Sequence, residues 1–229
     1  MSEFKYQNSS MHFTGVCGYR DINDADCPNL ERAVHACMEE IELHHYSRKF
    51  CLISGLEVGA DQLVAQCALD RGWALHAVFA ASSDSLMAKM PDFEAHELDA
   101  SIKSFASTMS EKQAHKLQNY FLPKCDEVTI VTPNSNSEET GYVAVVGEIT
   151  ERTGSLIALW GAVTGRGAGG TANKLTSFLE AFRINLNQFV SERDVYWVRT
   201  RKSGKQIYSS GPAWEKIDLK YLSREKANK

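Results

Sequence analysis

A glycine-rich stretch at residues 165–174, with the sequence GRGAGGTANK, is the part of the chain best suited to hold a phosphate group. It follows an apolar run at residues 155–160 and leads into a segment whose apolar residues have helical spacing, residues 173–182. A glycine loop between a strand and a helix presents backbone N–H groups and a partial positive charge to an anion. The alternative for a lone glycine cluster is a flexible loop. The candidate ligand-binding residues here are Gly161, directly after the apolar run, and Gly167, Gly169, Gly170, Thr171 and Lys174 of the stretch itself.

Two earlier stretches repeat the pattern of an apolar run, a glycine-bearing turn and a helical segment. They are residues 13–21, FTGVCGYRD, and residues 50–61, FCLISGLEVGAD. Because the carboxyl ends of parallel strands meet at one edge of a sheet, we expect all three loops to line one crevice. The two earlier loops add Gly18, Tyr19, Arg20, Ser54, Gly55, Glu57 and Asp61 to the candidate site.

Each polar or aromatic candidate has a ligand-binding role and a structural alternative. Arg20 directly follows a predicted strand, where its planar guanidinium suits a phosphate, and the alternative is a surface salt bridge. Glu57 suits the hydroxyl groups of a ribose or is an exposed charge on a turn, and Tyr19 suits stacking on a base or covering the edge of the core. Asp61 is predicted to be structural, in the first turn of a helix, whereas Thr171 suits both a phosphate and a helix cap.

The three motifs together resemble the SLOG superfamily, which groups the Smf/DprA proteins with the Lonely-guy phosphoribohydrolases. The motifs are GYR at residues 18–20, SGLEVGAD at residues 54–61, and WG at residues 160–161 followed by GGTA at residues 169–172. The resemblance runs in order and spacing from about residue 11 to residue 200. It implies a Rossmann-like fold, and it is closest to the SLOG domains of bacterial defence systems that bind nucleotide-derived signals.

One departure from the resemblance bears on catalysis. Lonely-guy enzymes carry a Pro-Gly-Gly-x-Gly-Thr-x-x-Glu motif, and alignment on Thr171 puts Lys174 where their glutamate stands. An ammonium group there would repel the positive charge that develops during N-glycosidic cleavage. We therefore predict no catalytic residues, with Glu57 or Glu148 as substitutes for the missing carboxylate if the protein is a hydrolase.

Alternating strand and helix patterns position these loops. The pattern predicts an α/β fold, a Rossmann-like open parallel β-sheet with helices on both faces. Residues 1–200 are predicted to form the nucleotide-binding domain and residues 201–229 a basic C-terminal extension. Predicted strands are 13–17, 50–54, 74–80, 126–132, 155–160 and, last in the sheet, 194–198; predicted helices begin near Pro28, at 62, near 90 and at 142.

Charge and composition indicate which kinds of partner and which cellular environment to expect. The net charge is −4, but residues 199–229 hold nine basic and three acidic residues, so that residues 1–198 carry −10. From this acidic body we expect no nucleic acid partner. Six widely spaced cysteines without a Cys-x-x-Cys pair predict free thiols in the cytoplasm and no metal site. No apolar run approaches the roughly 18 residues that a membrane span needs.

The expected function is to bind a nucleotide-derived small molecule, such as a cyclic or NAD-derived second messenger, without turning it over. We expect no bound cofactor, a homodimer or tetramer, and an effector module that would follow this chain. Two alternatives stay open. One is a Lonely-guy-like nucleoside 5′-monophosphate phosphoribohydrolase, and the other is single-stranded DNA binding of the DprA type.

Overall fold

The computed structural model describes residues 10–81, 93–133, 138–160, 194–200 and 213–217. A seven-stranded sheet runs through these residues in the order β4-β3-β2-β1-β5-β6-β7. The strands are β1 (Met11–Gly18), β2 (Lys49–Ser54), β3 (Ala74–Ala80), β4 (Glu127–Val131), β5 (Ser155–Trp160), β6 (Asp194–Arg199) and β7 (Trp214–Ile217).

Six of the seven strands are parallel to one another. All neighbouring pairs from β4 to β6 are parallel, and only β7 runs antiparallel, against β6. The predicted α/β fold with an open, mostly parallel sheet is therefore confirmed. The order of the strands reverses at β1, because β2 lies on one side of it and β5 on the other.

Five α-helices connect the strands of the described residues. They are α1 (Cys27–His44), α2 (Ala60–Asp70), α3 (Phe93–Ser107), α4 (Glu111–Lys116) and α5 (Glu138–Arg152). A short 3-10 turn, Asp24–Asp26, precedes α1, and a π-helical turn, Leu117–Phe121, and a 3-10 turn, Leu122–Lys124, follow α4. Pro28 lies in the first turn of α1, where its missing N–H costs nothing.

Apolar side chains cover both faces of the sheet. On one face, β-strand residues such as Leu52, Phe79 and Leu159 pack with the buried stripes of α1 and α2. On the other face, Ile53 and Leu156 pack with Ile149 of α5. Successive residues of a strand point to opposite faces, so strands buried on both sides have the continuous apolar runs that the sequence shows.

The carboxyl-terminal part of the sheet differs from the prediction. Residues 194–198 were expected to be the last strand, and this is wrong, because Trp214–Ile217 adds β7 next to β6. Lys216 on β7 forms an ion pair with Asp194 on β6, with 2.7 Å between Nζ and Oδ2. These four residues fall in the range assigned to the basic extension; the division of the chain at residue 200 stays a prediction.

Candidate ligand-binding crevice

The candidate site lies at the carboxyl edge of the sheet, where β1 and β5 are neighbours and the strand order reverses. In open α/β sheets the loops that follow the two neighbouring strands at this point turn to opposite faces of the sheet, and a crevice forms between them. We use "the crevice" for residues 18–20 after β1, residues 54–59 after β2, the first turn of α2, and Tyr142 on α5. The structure thus brings the two earlier sequence motifs together, as predicted.

Two glycines let the loop after β1 rest directly on the start of α2. A Cβ atom on Gly18 would lie 2.4 Å from the Cβ atom of Ala60, and one on Gly59 would lie 2.4 Å from the carbonyl oxygen of Tyr19. Gly59 also has a φ of +92°, which side-chain-bearing residues rarely adopt. Both glycines are therefore required by a close backbone approach within the protein itself.

Tyr19 connects this contact to the centre of the sheet. Its N–H donates to the carbonyl of Leu159 on β5 at 3.3 Å, and its carbonyl accepts from the N–H of Ala60 at 3.0 Å. A second N–H of the α2 start, from Gln62, donates to the carbonyl of Glu57 at 3.3 Å. Because the protein itself uses these two donors, the start of α2 is a poorer phosphate site than its glycine-bearing sequence suggested.

Arg20 and Glu57 face each other across the crevice. Arg20 Nε lies 2.6 Å from Glu57 Oε2, and Arg20 Nη2 lies 2.5 Å from Glu57 Oε1, so the guanidinium and carboxylate meet as two parallel forks. The Arg20 side chain is 54% exposed and that of Glu57 is 21% exposed. Both sequence candidates are at the site, and each is a ligand of the other in this structure.

Ser54 and Asp61 shape the loop beneath this pair. Ser54 is fully buried; its Oγ donates to Asp61 Oδ2 at 3.2 Å and accepts from the N–H of Leu56 at 2.9 Å. Leu56 has a φ of +53°, so the serine stabilises a left-handed backbone position. Gly55 has room for a side chain, since a Cβ atom there would lie 3.5 Å from Asp61 Oδ2. Ser54 and Asp61 thus hold the loop that carries Glu57.

Asp61 is the titratable group that the crevice perturbs most. Burial, reinforced by the negative charge of Glu57, raises the pKa of Asp61 to about 8, while hydrogen bonds from Ser54 and the Glu57 backbone oppose this change. A large share of Asp61 is therefore protonated at neutral pH. The crevice has little net charge when Arg20 and Glu57 are paired.

Tyr142 belongs to the crevice and was not among the sequence candidates. It lies half-buried in α5, where burial and the charges of Cys17, Glu57 and Asp61 raise its pKa, with Arg20 opposing them. Tyr142 is also near the start of a helix that follows a parallel strand, and such helices start at the carboxyl edge of the sheet. This position near the start of a predicted helix is the feature of the sequence that could have identified Tyr142 as a site residue.

Glu148, one of two substitutes considered for the missing catalytic glutamate, lies outside the crevice. It is 3.4 Å from Arg152 Nη1 at the far end of α5, six residues or about 9 Å along the helix from Tyr142. Arg152 itself reaches Glu127 at the first residue of β4, on the amino edge of the sheet. Of the two substitutes, only Glu57 is at the site.

The third motif falls outside the described residues. Gly161, Gly167, Gly169, Gly170, Thr171 and Lys174 all follow Trp160, the last residue of β5 that the structure describes. Their place in the site stays a prediction. Within the described residues no group of three or more His, Cys, Asp or Glu side chains has a metal-binding arrangement, and no helix has the length and apolarity to span a bilayer.

Comparisons with known proteins find a similarity in structure but none in sequence. No protein-family model matches the chain, and no curated protein matches it. Among solved structures it is similar to DNA processing protein A (DprA) from Streptococcus pneumoniae, with 14% identity and a TM-score of 0.47 over 85% of this chain. The chain spans about half of that protein, 52% of its length.

The comparison also corrects one expectation about partners. We expected no nucleic acid partner, and that exclusion is wrong, because the solved structure that the chain resembles is a DNA-processing protein. The physical error lies in the use of net charge. A total of −10 over residues 1–198 is a sum over the whole surface, and it does not give the charge of one binding face.

Proposed function

We propose that the crevice binds a nucleotide-derived small molecule, with Arg20 as the phosphate-binding side chain. The observation that carries the proposal is the position of this arginine. Its half-exposed guanidinium fork lies at the reversal of strand order, where open α/β sheets bind their ligands. A guanidinium in that place suits phosphate because its N–H groups match two phosphate oxygens at once.

The neighbours of Arg20 suit the rest of a nucleotide. Tyr142 offers an aromatic ring beside the arginine, and rings of this kind stack on bases. β5 ends next to β1, so the last described residue before the glycine-rich stretch lies at the same edge of the sheet. We keep the sequence prediction that this stretch supplies further phosphate contacts.

Binding without turnover is the form of activity that we propose. The residue aligned with the glutamate of Lonely-guy enzymes is Lys174, and Glu148 lies away from the crevice. Glu57 is the one candidate carboxylate of the two that lies at the crevice, and the test for released base described below includes its Gln variant. We therefore propose a sensor role, in which ligand occupancy is the signal, in bacterial signalling or defence.

Isothermal titration against a panel of nucleotides tests this proposal. The panel contains AMP, ADP-ribose, NAD, cyclic ADP-ribose isomers and cyclic dinucleotides, and each mixture is analysed by chromatography afterwards. Saturable binding of a panel member that is recovered intact supports a sensor. Release of free base or nicotinamide, lost in Glu57→Gln, would show the phosphoribohydrolase alternative instead. Absence of binding across the panel removes the proposal.

Single-stranded DNA is the second partner to test, since the similar solved structure is a DNA-processing protein. Fluorescence anisotropy with a labelled oligonucleotide at low and moderate salt measures it. Binding that falls steeply as salt rises would support a phosphate-backbone interaction. Equal binding by wild-type and Arg20→Ala protein would place such an interaction outside the crevice.

A further inference from the structure

The Arg20–Glu57 pair has the bidentate geometry that a guanidinium also forms with a phosphate group. Both carboxylate oxygens of Glu57 are engaged by two different nitrogens of one guanidinium, at 2.6 and 2.5 Å. Two oxygens of a phosphate group would use the same two nitrogens in the same plane. Phosphate and Glu57 therefore compete for one set of donors.

Glu57 is more enclosed than Arg20, so the donors of the pair are open to solvent. The side chain of Glu57 is 21% exposed, whereas that of Arg20 is 54% exposed. Asp61 lies beneath the pair, where it accepts a hydrogen bond from Ser54. A ligand can therefore reach the guanidinium of Arg20 from solvent and compete with Glu57 for it.

We propose that Glu57 is a built-in competitor for the ligand's phosphate: its carboxylate occupies the two donor nitrogens of Arg20, and a ligand binds by replacing it with a phosphate. This inference rests on the proposed function. It names the ligand class as phosphate-bearing nucleotides, because a nucleoside without phosphate has no group to take the place of the carboxylate. Glu57 then weakens the binding of every anion that uses Arg20 and leaves the binding of neutral nucleosides unchanged.

The test compares AMP and adenosine as probes, in isothermal titration with wild-type protein and Glu57→Gln. The substitution removes the competing charge and keeps the shape of the side chain. We expect AMP to bind roughly fivefold more tightly to Glu57→Gln, the size expected when one exposed ion pair no longer has to be broken. Adenosine affinity is expected to stay within about twofold. Glu57→Ala is the second variant and is expected to change AMP binding in the same direction.

Two controls separate competition from a general effect of charge. Glu39→Gln removes the same charge from an exposed position near the far end of α1, and it is expected to leave AMP binding unchanged. In an Arg20→Ala background, Glu57→Gln is expected to give no gain, because the contested donors are absent. A gain of equal size in that background overturns the inference.

The remaining outcomes distinguish the inference from the proposed function. If the wild-type protein binds a nucleotide of the panel but Glu57→Gln binds AMP no more tightly, the inference is overturned and the proposed function stands. Weaker binding of both AMP and adenosine by Glu57→Gln also overturns it, since that result makes Glu57 an acceptor for ribose. If neither protein binds any nucleotide of the panel, both proposals fail.

Discussion

Both edges of the sheet carry an arginine beside glutamate side chains, but the two arginines are used differently. At the amino edge Arg152 is only 16% exposed and lies within 3.5 Å of groups from three elements: Glu127 on β4, Glu148 on α5 and His76 on β3. It also lies over the ring of Phe13 on β1. At the carboxyl edge Arg20 is 54% exposed and donates hydrogen bonds to Glu57 through two nitrogens.

The difference separates a structural arginine from one suited to exchange partners. Arg152 connects the end of α5 to three strands, so losing it removes contacts to all three. Arg20 joins two loops at the point where the fold leaves a crevice, and water or a ligand reaches its guanidinium. Residue type alone does not distinguish the two; burial and position on the sheet do.

The largest expected effect is that of Gly59→Ala. A Cβ atom there would lie 2.4 Å from Tyr19 O and 2.5 Å from Arg20 O, on a residue with φ of +92°. Strain and displacement of the loop together are expected to cost about 3 kcal/mol or more of unfolding free energy, measured by urea denaturation.

Gly72→Ala is the matched control for Gly59→Ala. Gly72 has a φ of +74°, but a Cβ atom there would meet no atom within 4 Å. Only the backbone conformation is strained, so about 1 kcal/mol is expected. Equal losses in the two variants would mean that the contact between the β1 loop and α2 is not tightly packed.

The next largest effect is expected for ligand binding by Arg20→Ala. Loss of a charged, bidentate partner for phosphate is expected to cost about 2–3 kcal/mol, or at least about thirtyfold in the dissociation constant. Thermal unfolding is expected to change little, because the side chain is half exposed. An unchanged dissociation constant for every panel nucleotide that binds would remove Arg20 from the site.

Arg152→Ala is expected to show the opposite pattern. Removing its guanidinium leaves His76 and Glu148 without this donor and uncovers Phe13. We expect a loss of about 2 kcal/mol in unfolding free energy, with nucleotide affinity unchanged. Arg32→Ala, an exposed change on α1, serves as the control and is expected to stay within about 0.5 kcal/mol. Weakened nucleotide binding in folded Arg152→Ala would break the distinction between the two edges.

The sequence predicted long buried strands better than short or polar elements. Strands such as residues 74–80 and 155–160 were predicted at their observed bounds, because buried parallel strands are short continuous apolar runs. β7 was missed, since four residues with two charged ones in the middle give no such run. The helical turns at residues 111–124 were also missed, because they are short and mostly polar.

The sequence predicted that residues of the first two motifs lie together, but it did not predict their contacts; that they form a ligand site stays a prediction. Arg20, Glu57 and Asp61 were named because glycine turns after apolar runs mark the carboxyl edge. The pairing of Arg20 with Glu57 joins residues 37 positions apart, and it depends on β1 and β2 being neighbours, which spacing in the sequence does not specify. Glu148 shows the same limit. Its helix carries Tyr142 at the crevice, but Glu148 lies six residues further along the helix, beside Arg152.

The smallest expected effect is on pH dependence, and here the two edges act with opposite sign. At the amino edge, burial and Arg152 lower the pKa of His76 to about 4 from 6.5, so the unfolded chain binds more protons between these values and stability falls as pH drops below about 6.5. His12 acts in the same direction, with a pKa of about 3. At the crevice the pKa of Asp61 is raised from 3.8 to about 8, so the folded chain binds more protons and stability falls as pH rises through that range.

A comparison with Asp61→Asn between pH 6.5 and 8 isolates the crevice, because the histidines contribute equally to both proteins. Over this interval we expect the wild-type protein to lose about 1 kcal/mol of unfolding free energy relative to the variant, a partly exposed group giving less than the full linkage value. Asp61→Asn keeps an oxygen to accept from Ser54 but cannot ionise, so it lacks this loss. Urea denaturation at several pH values measures both proteins. Parallel slopes for the two would show that Asp61 is ionised throughout, and the crevice would then hold two carboxylates against one Arg20 and repel the phosphate that we propose it binds.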